Sequence, residues 1–196
     1  MPAQMSVQNR AQSSNGWLKS YYYLRFAVSA AWVALAIIVA KNIPPLAAVM
    51  LVAYPAWDAL ANYVDAQRTG GLGRNKSQLL NFAVSIIATI AVAIALGRSM
   101  NAVLAVYGVW AAVSGVFQLL TAVRRWKTNG AQWAMILSGA QSALAGLFFV
   151  KMAGGTEAIG IVNVAPYAAF GAFYFLVSAV WLSVGDVLRK SPQAAN

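Results

Sequence analysis

Six apolar stretches, each about as long as a membrane-crossing helix, constrain the fold of this 196-residue chain more than any other feature. A bilayer core about 30 Å thick needs about 20 consecutive apolar residues in a helix. The predicted spans cover residues 21–40, 43–64, 78–97, 101–123, 131–151 and 157–185. Because little length remains outside them, residues 1–196 are predicted to form one all-α, six-span membrane domain with tails at residues 1–20 and 186–196.

The composition supports a membrane environment and excludes several chemistries. Hydrophobic residues make up 61% of the chain and charged residues 9%. The formal charge of +10 raises the question of nucleic-acid binding, but no basic residue falls in a soluble segment able to present it, so no nucleic-acid partner is predicted. Because the chain has no cysteine and no histidine, disulfides, thiolate chemistry and histidine metal sites are excluded, and no cofactor is predicted.

The basic residues are distributed unequally between the two ends of the predicted spans. Of the 14 Lys and Arg residues, one side carries Arg10, Lys19, Arg25, Arg68, Arg74, Lys76, Arg124, Arg125, Lys127, Arg189 and Lys190. The other side carries Lys41, Arg98 and Lys151. Because Lys and Arg are enriched in cytoplasmic loops, this bias predicts cytoplasmic N and C termini, with the basic connections next to anionic lipid headgroups.

Short sequence similarities recur with a period of about 55 residues, close to the length of a repeated helical hairpin. In the odd-numbered spans, Phe26–Ser29 recurs as Phe82–Ser85 and more loosely as Ile136–Gly139. In the even-numbered spans, Tyr54–Trp57 aligns with Tyr107–Trp110 and then with Phe170–Phe173. The agreement between odd and even spans predicts three helical hairpins that are copies in the same orientation.

The fourth and fifth spans carry a recognisable pattern of small and aromatic residues. It consists of Gly108, Trp110, Ala111 and Gly115, the basic residues Arg124 and Arg125, and then Trp133, Gly139 and Gly146. This pattern resembles the HdeD-like family of small bacterial membrane proteins, although the first hairpin departs from it with Pro55 and Asp58. The resemblance implies a bacterial inner-membrane protein linked to acid resistance of the cell envelope, and it brings no catalytic residues.

Polar residues inside the spans are the candidates for function, because an ionisable group in hydrocarbon is costly without a partner or a water-filled cavity. Stripes at helical spacing comprise Tyr54, Asp58, Asn62 and Asp65 on the second span, and Gln78, Asn81, Ser85 and Thr89 on the third. The candidate cavity-lining residues are Asn62, Asn81, Gln118 and Gln141. Two interpretations remain: the stripes pack helices together, as the small-residue pairs Ala27 with Ala31 and Ser142 with Gly146 do, or they converge on a polar cavity.

Asp58 is the strongest candidate among these residues, with Arg25 as its predicted partner. Each lies about fifteen positions from the outer end of its span, so the two side chains are expected at a similar depth in the bilayer. An arginine at that depth stabilises a charged carboxylate and holds the first two helices together. The pair is therefore predicted to be either a structural clamp or a site at which Asp58 changes protonation as a pH switch.

Three classes of function remain. The resemblance and the scarcity of reactive groups favour a non-enzymatic stress protein of the inner membrane, able to associate with further copies of itself through its small-residue faces. A small-solute or proton-linked transporter requires that the stripes face a cavity near Asp58 and that Pro55 and Pro166 kink or open their helices. A membrane enzyme is least favoured, because the chain has only four carboxylates: Asp58, Asp65, Glu157 and Asp186.

Overall fold

A computed structural model describes residues 2–68, 70–125 and 132–190 of the chain, and within these ranges every regular element is helical. The α-helices are α1 (Pro2–Ile38), α2 (Pro44–Arg68), α3 (Lys76–Leu96), α4 (Met100–Arg125), α5 (Gln132–Ala153) and α6 (Ile161–Lys190), with a 3₁₀ turn at Ala40–Asn42. All six α-helices contain a segment long and apolar enough to cross a membrane. The prediction of an all-α protein with six membrane-spanning helices is confirmed.

The ends of the first and last helices differ from the predicted spans. Helix α1 begins at Pro2, so the segment expected to be a tail continues the first span as helix, which its Ala, Gln and Met residues favour. Helix α6 begins at Ile161 and not at Glu157, because a loop containing Gly154, Gly155 and Gly160 precedes it. Helix α6 also continues past residue 185 to Lys190, so the first five residues of the tail predicted at residues 186–196 are helical, and residues 191–196 lie outside the described residues.

The described helices form two compact units. The terminal unit comprises the described residues within 1–34 and 168–196, and therefore most of α1 and the longer part of α6. Within it, the two helices are antiparallel: Lys19 Nζ lies 3.0 Å from Asp186 Oδ2, and the hydroxyls of Tyr23 and Ser183 are 3.2 Å apart. These contacts join the middle of α1 to the C-terminal part of α6.

The central unit comprises the described residues within 35–167, and its helices pack against one another in chain order. Helices α3 and α4, one of the three predicted hairpins, pack together within this unit. The most extensive packing is nevertheless between α4 and α5, the helices that join one predicted hairpin to the next. The period of the sequence predicts the hairpins, whereas the closeness of α4 to α5 depends on which residues face each other.

Glycine explains why α4 and α5 approach so closely. A Cβ atom at Gly108 would lie 2.8 Å from the carbonyl oxygen of Gly146, and one at Gly115 would lie 2.6 Å from the carbonyl oxygen of Gly139. Real Cβ atoms do not approach backbone atoms at these distances, so the two backbones are in direct contact. All four glycines belong to the pattern that carries the HdeD-like resemblance.

The surfaces of the helices are arranged for a lipid environment. On α3 the buried residues are small, among them Ser85 and Ala88, whereas Ile87, Ile90 and Ile94 are exposed. Large apolar residues on the outside and small ones inside are typical of membrane helices, which gain stability from close packing. The Ala27 and Ala31 pair, predicted to pack against another helix, is also exposed, because the buried residues of this part of α1 lie at Ser29 and Trp32.

Candidate functional site

The Asp58 carboxylate is held by hydrogen bonds from two helices of the central unit. Ser85 of α3 donates its hydroxyl hydrogen to Asp58 Oδ2 over 2.8 Å. Asn62, one turn further along α2, donates its side-chain amide to the same oxygen over 3.0 Å and to the Asp58 backbone carbonyl over 2.8 Å. The structure therefore brings Asn62 to Asp58 and provides the carboxylate with hydrogen-bond donors from both α2 and α3.

A second hydrogen bond between α2 and α3, in addition to that of Ser85 with Asp58, fixes the register of the two helices. Gln78 donates its side-chain amide to Asp65 Oδ2 over 3.0 Å, two turns along each helix from the Asp58–Ser85 contact. Because the two contacts progress in opposite directions along antiparallel helices, the polar stripes predicted on α2 and α3 face each other. This register places Asn81 at the level of Asn62 on the same pair of faces.

Trp110 of α4 extends the network at Asp58 to a third helix. Its indole Nε1–H donates to Ser85 Oγ over 3.1 Å, and Ser85 in turn donates to Asp58, so the bonds run from indole to hydroxyl to carboxylate. The Ser85 hydroxyl is fully buried and cannot reach water. Trp110 and Asp58 therefore supply the two hydrogen-bond partners that a buried hydroxyl needs. Sequence reasoning missed Trp110 as a site residue, although its position in the repeated Tyr54–Trp57 and Tyr107–Trp110 motif was a signal for it.

Three tyrosines surround the Trp110 ring. Tyr107, Tyr54 and Tyr167 all meet it edge to face, with ring centroids 5.6, 6.0 and 6.1 Å from its own. Edge-to-face aromatic pairs each contribute about 0.5–1.5 kcal/mol beyond the burial of their area. The cluster therefore holds the indole in the orientation that its hydrogen bond to Ser85 requires.

Tyr107 also repairs the backbone of α2 at a proline. Pro55 has no N–H, which leaves the carbonyl of Leu51, four residues earlier, without its helical donor. The Tyr107 hydroxyl donates to this carbonyl oxygen over 2.7 Å, and both residues are fully buried. The helix consequently continues through Pro55, and the polar group that the proline frees is satisfied by the neighbouring helix.

Ser142 makes the same kind of two-way contact in the next part of the repeat. Its hydroxyl donates to the backbone carbonyl of Ala111 in α4 over 3.0 Å, and the Tyr167 hydroxyl, 3.1 Å away, donates to it in turn. Ser85 likewise accepts a hydrogen bond from an aromatic side chain of the following helix and donates to the preceding one. The repeat alignment matched Ser85 to Gly139, but Ser142, three residues later, has the equivalent contacts.

Arg25 has an aromatic environment in the terminal unit. Its guanidinium carbon lies 4.2 Å from the centroid of the Phe175 ring, and its Nη1 donates to the Tyr21 hydroxyl over 3.2 Å. A cation over an aromatic face is stabilised by the ring quadrupole, more strongly where water is excluded. Arg25 and Asp58 belong to different units, and the ion pair between them stays a prediction.

The two remaining predicted site residues lie on α4 and α5. Gln118 is about two turns along α4 from Trp110, and Gln141 directly precedes Ser142; both are partly exposed. That they line a cavity together with Asn62 and Asn81 stays a prediction. Among the described residues, no three carboxylates cluster in a way that could hold a metal ion.

The six apolar helices and their inward-facing small and polar side chains define a multi-pass helical membrane protein. Residues 83–151, from α3 through α4 to α5, match a short repeat of unknown function, DUF308. This region contains Ser85, Trp110 and the four glycines that bring α4 and α5 together. No curated protein and no solved structure matches the chain.

Proposed function

We propose that this protein is a non-enzymatic protein of the bacterial inner membrane that contributes to acid or envelope stress resistance, like the HdeD-like family that it resembles. The observation that carries the proposal is the position of the repeat match at residues 83–151. The residues singled out in that region, such as Gly108, Gly146 and Ser85, serve helix packing in the structure. A protein selected for a tightly packed bundle suits a structural role in a stressed membrane.

The surroundings of the four carboxylates support a role without catalysis. Asp58 accepts hydrogen bonds from Ser85 and Asn62, Asp65 accepts one from Gln78, and Asp186 pairs with Lys19. Glu157 is exposed in the loop before α6. General acid–base catalysis needs a group positioned to exchange a proton with a substrate, whereas these contacts give each aspartate a protein partner.

The proposed orientation places both termini in the cytoplasm. Its support is the excess of basic residues in the connection that holds Arg68, Arg74 and Lys76 over the connections that hold Lys41 and Arg98. Reporter fusions in the connection between α2 and α3 and in the connection between α3 and α4 should have opposite locations. Both reporters on one side of the membrane would contradict the six-span topology.

A deletion strain tests the stress function directly. Survival of the strain is measured after acid, osmotic and envelope stress, with complementation by the wild type, by Asp58→Asn and by Gly16→Ala. We expect reduced survival in acid, rescue by the wild type, and rescue by Gly16→Ala, because a Cβ atom at that glycine has nothing within 4 Å. Equal survival of the deletion and parent strains under all three stresses would refute the proposal. If Asp58→Asn does not restore survival although the variant is present at a normal level, Asp58 has a role beyond stability.

A transporter is the second candidate, and one observation favours it. Asp58 is an ionisable residue inside a membrane-spanning helix, and such residues commonly mark ion or proton pathways. The purified protein in liposomes should then carry protons across the bilayer, and Asp58→Asn should abolish the flux that a trapped pH-sensitive dye reports. Flux equal to that of empty liposomes would remove unassisted proton transport from the small-solute or proton-linked transporter that this candidate covers. Self-association, measured by crosslinking at the exposed Ala27 and Ala31 face, is a separate prediction.

A further inference from the structure

The connection between α2 and α3, residues 68–76, is the most basic of the connections that the structure describes. It carries Arg68, Arg74 and Lys76, and all three residues are exposed. The nearest carboxylate, Asp65, lies one turn inside α2 and accepts a hydrogen bond from Gln78. Because Arg68, Arg74 and Lys76 outnumber this one carboxylate, the connection and the adjoining turn of α2 keep a net positive charge.

The described part of this connection, residues 70–76, forms a compact turn against the end of α2. The Gly71 N–H donates to the carbonyl oxygen of Ala66 over 2.7 Å, and Gly70 and Gly71 have φ angles of 106° and 88°, which favour glycine. The Asn75 side-chain amide closes the turn by donating to the Gly71 carbonyl oxygen over 3.1 Å. The side chain of Arg74 lies against the turn, with its Cδ 3.4 Å from the position of a Cβ atom on Gly70. The turn thus keeps the cations close to the ends of both helices.

Exposed apolar side chains show where the connection lies relative to the bilayer. Leu79 and Leu80 at the start of α3 are 41% and 45% exposed, and Tyr63 near the end of α2 is 40% exposed. Lys76 precedes Leu79 by three residues, which is about 4.5 Å along the helix axis. The cations consequently lie just outside the apolar band, at the depth where lipid phosphate groups are found.

We propose that Arg68 and residues 70–76 bind the headgroups of anionic phospholipids, with Arg74 and Lys76 as the principal cations. The inference deepens the orientation proposed above, in which this connection lies at the cytoplasmic leaflet. A zwitterionic lipid offers the same phosphate without a net charge and is bound more weakly. Each basic residue near an anionic surface contributes about fivefold in affinity, so loss of two weakens binding about 30-fold.

Native mass spectrometry of the full-length protein in neutral detergent tests this site. Dioleoylphosphatidylglycerol is titrated into the wild type, into the double variant Arg74→Gln/Lys76→Gln and into Arg98→Gln, with dioleoylphosphatidylcholine as the neutral lipid. Arg98 is an exposed arginine in the connection between α3 and α4, which makes it the matched control. We expect the double variant to bind phosphatidylglycerol about 30-fold more weakly than the wild type, and Arg98→Gln to bind it normally.

Three results would overturn the proposal. They are phosphatidylglycerol binding by the double variant within about twofold of the wild type, an equal loss in Arg98→Gln, and equal binding of both lipids by the wild type. Complete displacement of the lipid by millimolar inorganic phosphate would likewise overturn it and identify free phosphate as the ligand.

Two controls accompany the titration. Circular dichroism checks that the variants remain folded, and raising the salt concentration should weaken wild-type binding without any mutation. The measurement depends on no stress phenotype, so its failure is distinguishable from failure of the proposed function.

Discussion

The Tyr107 hydroxyl lies 2.7 Å from the Leu51 carbonyl oxygen, the backbone acceptor that Pro55 leaves without a helical donor. A side chain of α4 thereby completes the backbone hydrogen bonding of α2. In a membrane this compensation matters, because the lipid tails offer no hydrogen-bond donor to an unsatisfied carbonyl.

The contribution of Tyr107 should depend on the proline. We expect Tyr107→Phe to reduce the free energy of unfolding by about 1–3 kcal/mol, because it leaves the Leu51 carbonyl buried and unpaired. In a Pro55→Ala background the restored N–H can bond to that carbonyl, so the same substitution should cost less. Equilibrium unfolding in mixed micelles of the four proteins in this double-mutant cycle gives the coupling. The control is Tyr63→Phe, an exposed tyrosine expected to change little. A cycle with zero coupling would show that the tyrosine does not compensate for the proline.

The contact between α4 and α5 should not tolerate added atoms. A Cβ atom at Gly115 would lie 2.5 Å from the Ala143 backbone nitrogen, so Gly115→Ala should destabilise the protein by about 1–3 kcal/mol. Gly73→Ala is the matched control, because a Cβ atom at that position has nothing within 4 Å. Thermal unfolding of both variants measures the difference. Equal melting temperatures would contradict direct backbone contact between the helices.

Ser85 should be more important than a serine that bonds within its own helix. Ser85→Ala removes the acceptor of Trp110 Nε1–H and one donor to Asp58, with an expected cost of about 1–3 kcal/mol. Ser178→Ala removes a bond to the Tyr174 carbonyl within α6 and should cost less. Chemical unfolding gives the two costs, and resonance Raman bands of the indole should report loss of the Trp110 hydrogen bond in Ser85→Ala alone. An unchanged indole spectrum would remove Ser85 as the partner of Trp110.

The Lys19–Asp186 ion pair should make a small contribution that depends on salt. The two side chains are 33% and 27% exposed, and pairs of this kind contribute about 0–1 kcal/mol. Lys19→Gln should therefore lower the free energy of unfolding by less than about 1 kcal/mol at low salt and by less still at high salt. The exchanged double variant Lys19→Asp/Asp186→Lys should recover part of the loss. A larger cost that salt does not change would indicate a pair shielded from solvent.

Hydropathy was sufficient to predict six membrane-spanning helices, because a helix of about 20 consecutive apolar residues matches the thickness of the hydrocarbon core. Helical spacing also predicted the polar faces of α2 and α3, where Asp58 meets Ser85. The sequence did not reveal that Tyr107 bonds to the Leu51 carbonyl, since that contact depends on how α4 rotates about its axis. The repeat alignment likewise placed Gly139 opposite Ser85, and only the three-dimensional contacts identify Ser142 as the equivalent residue. Helix periodicity defines a face, whereas the partner of a side chain depends on the packing of the neighbouring helix.

The backbone contact at Gly108 and Gly146 has a mechanical consequence for life in bilayers of different thickness. Helices separated by bulky side chains can adjust by repacking those side chains, but peptide groups already in contact have no such freedom. A thinner or thicker membrane is then accommodated by tilting α4 and α5 together as one rod. A change in lipid composition that alters bilayer thickness would therefore change the tilt angle of α4 and α5.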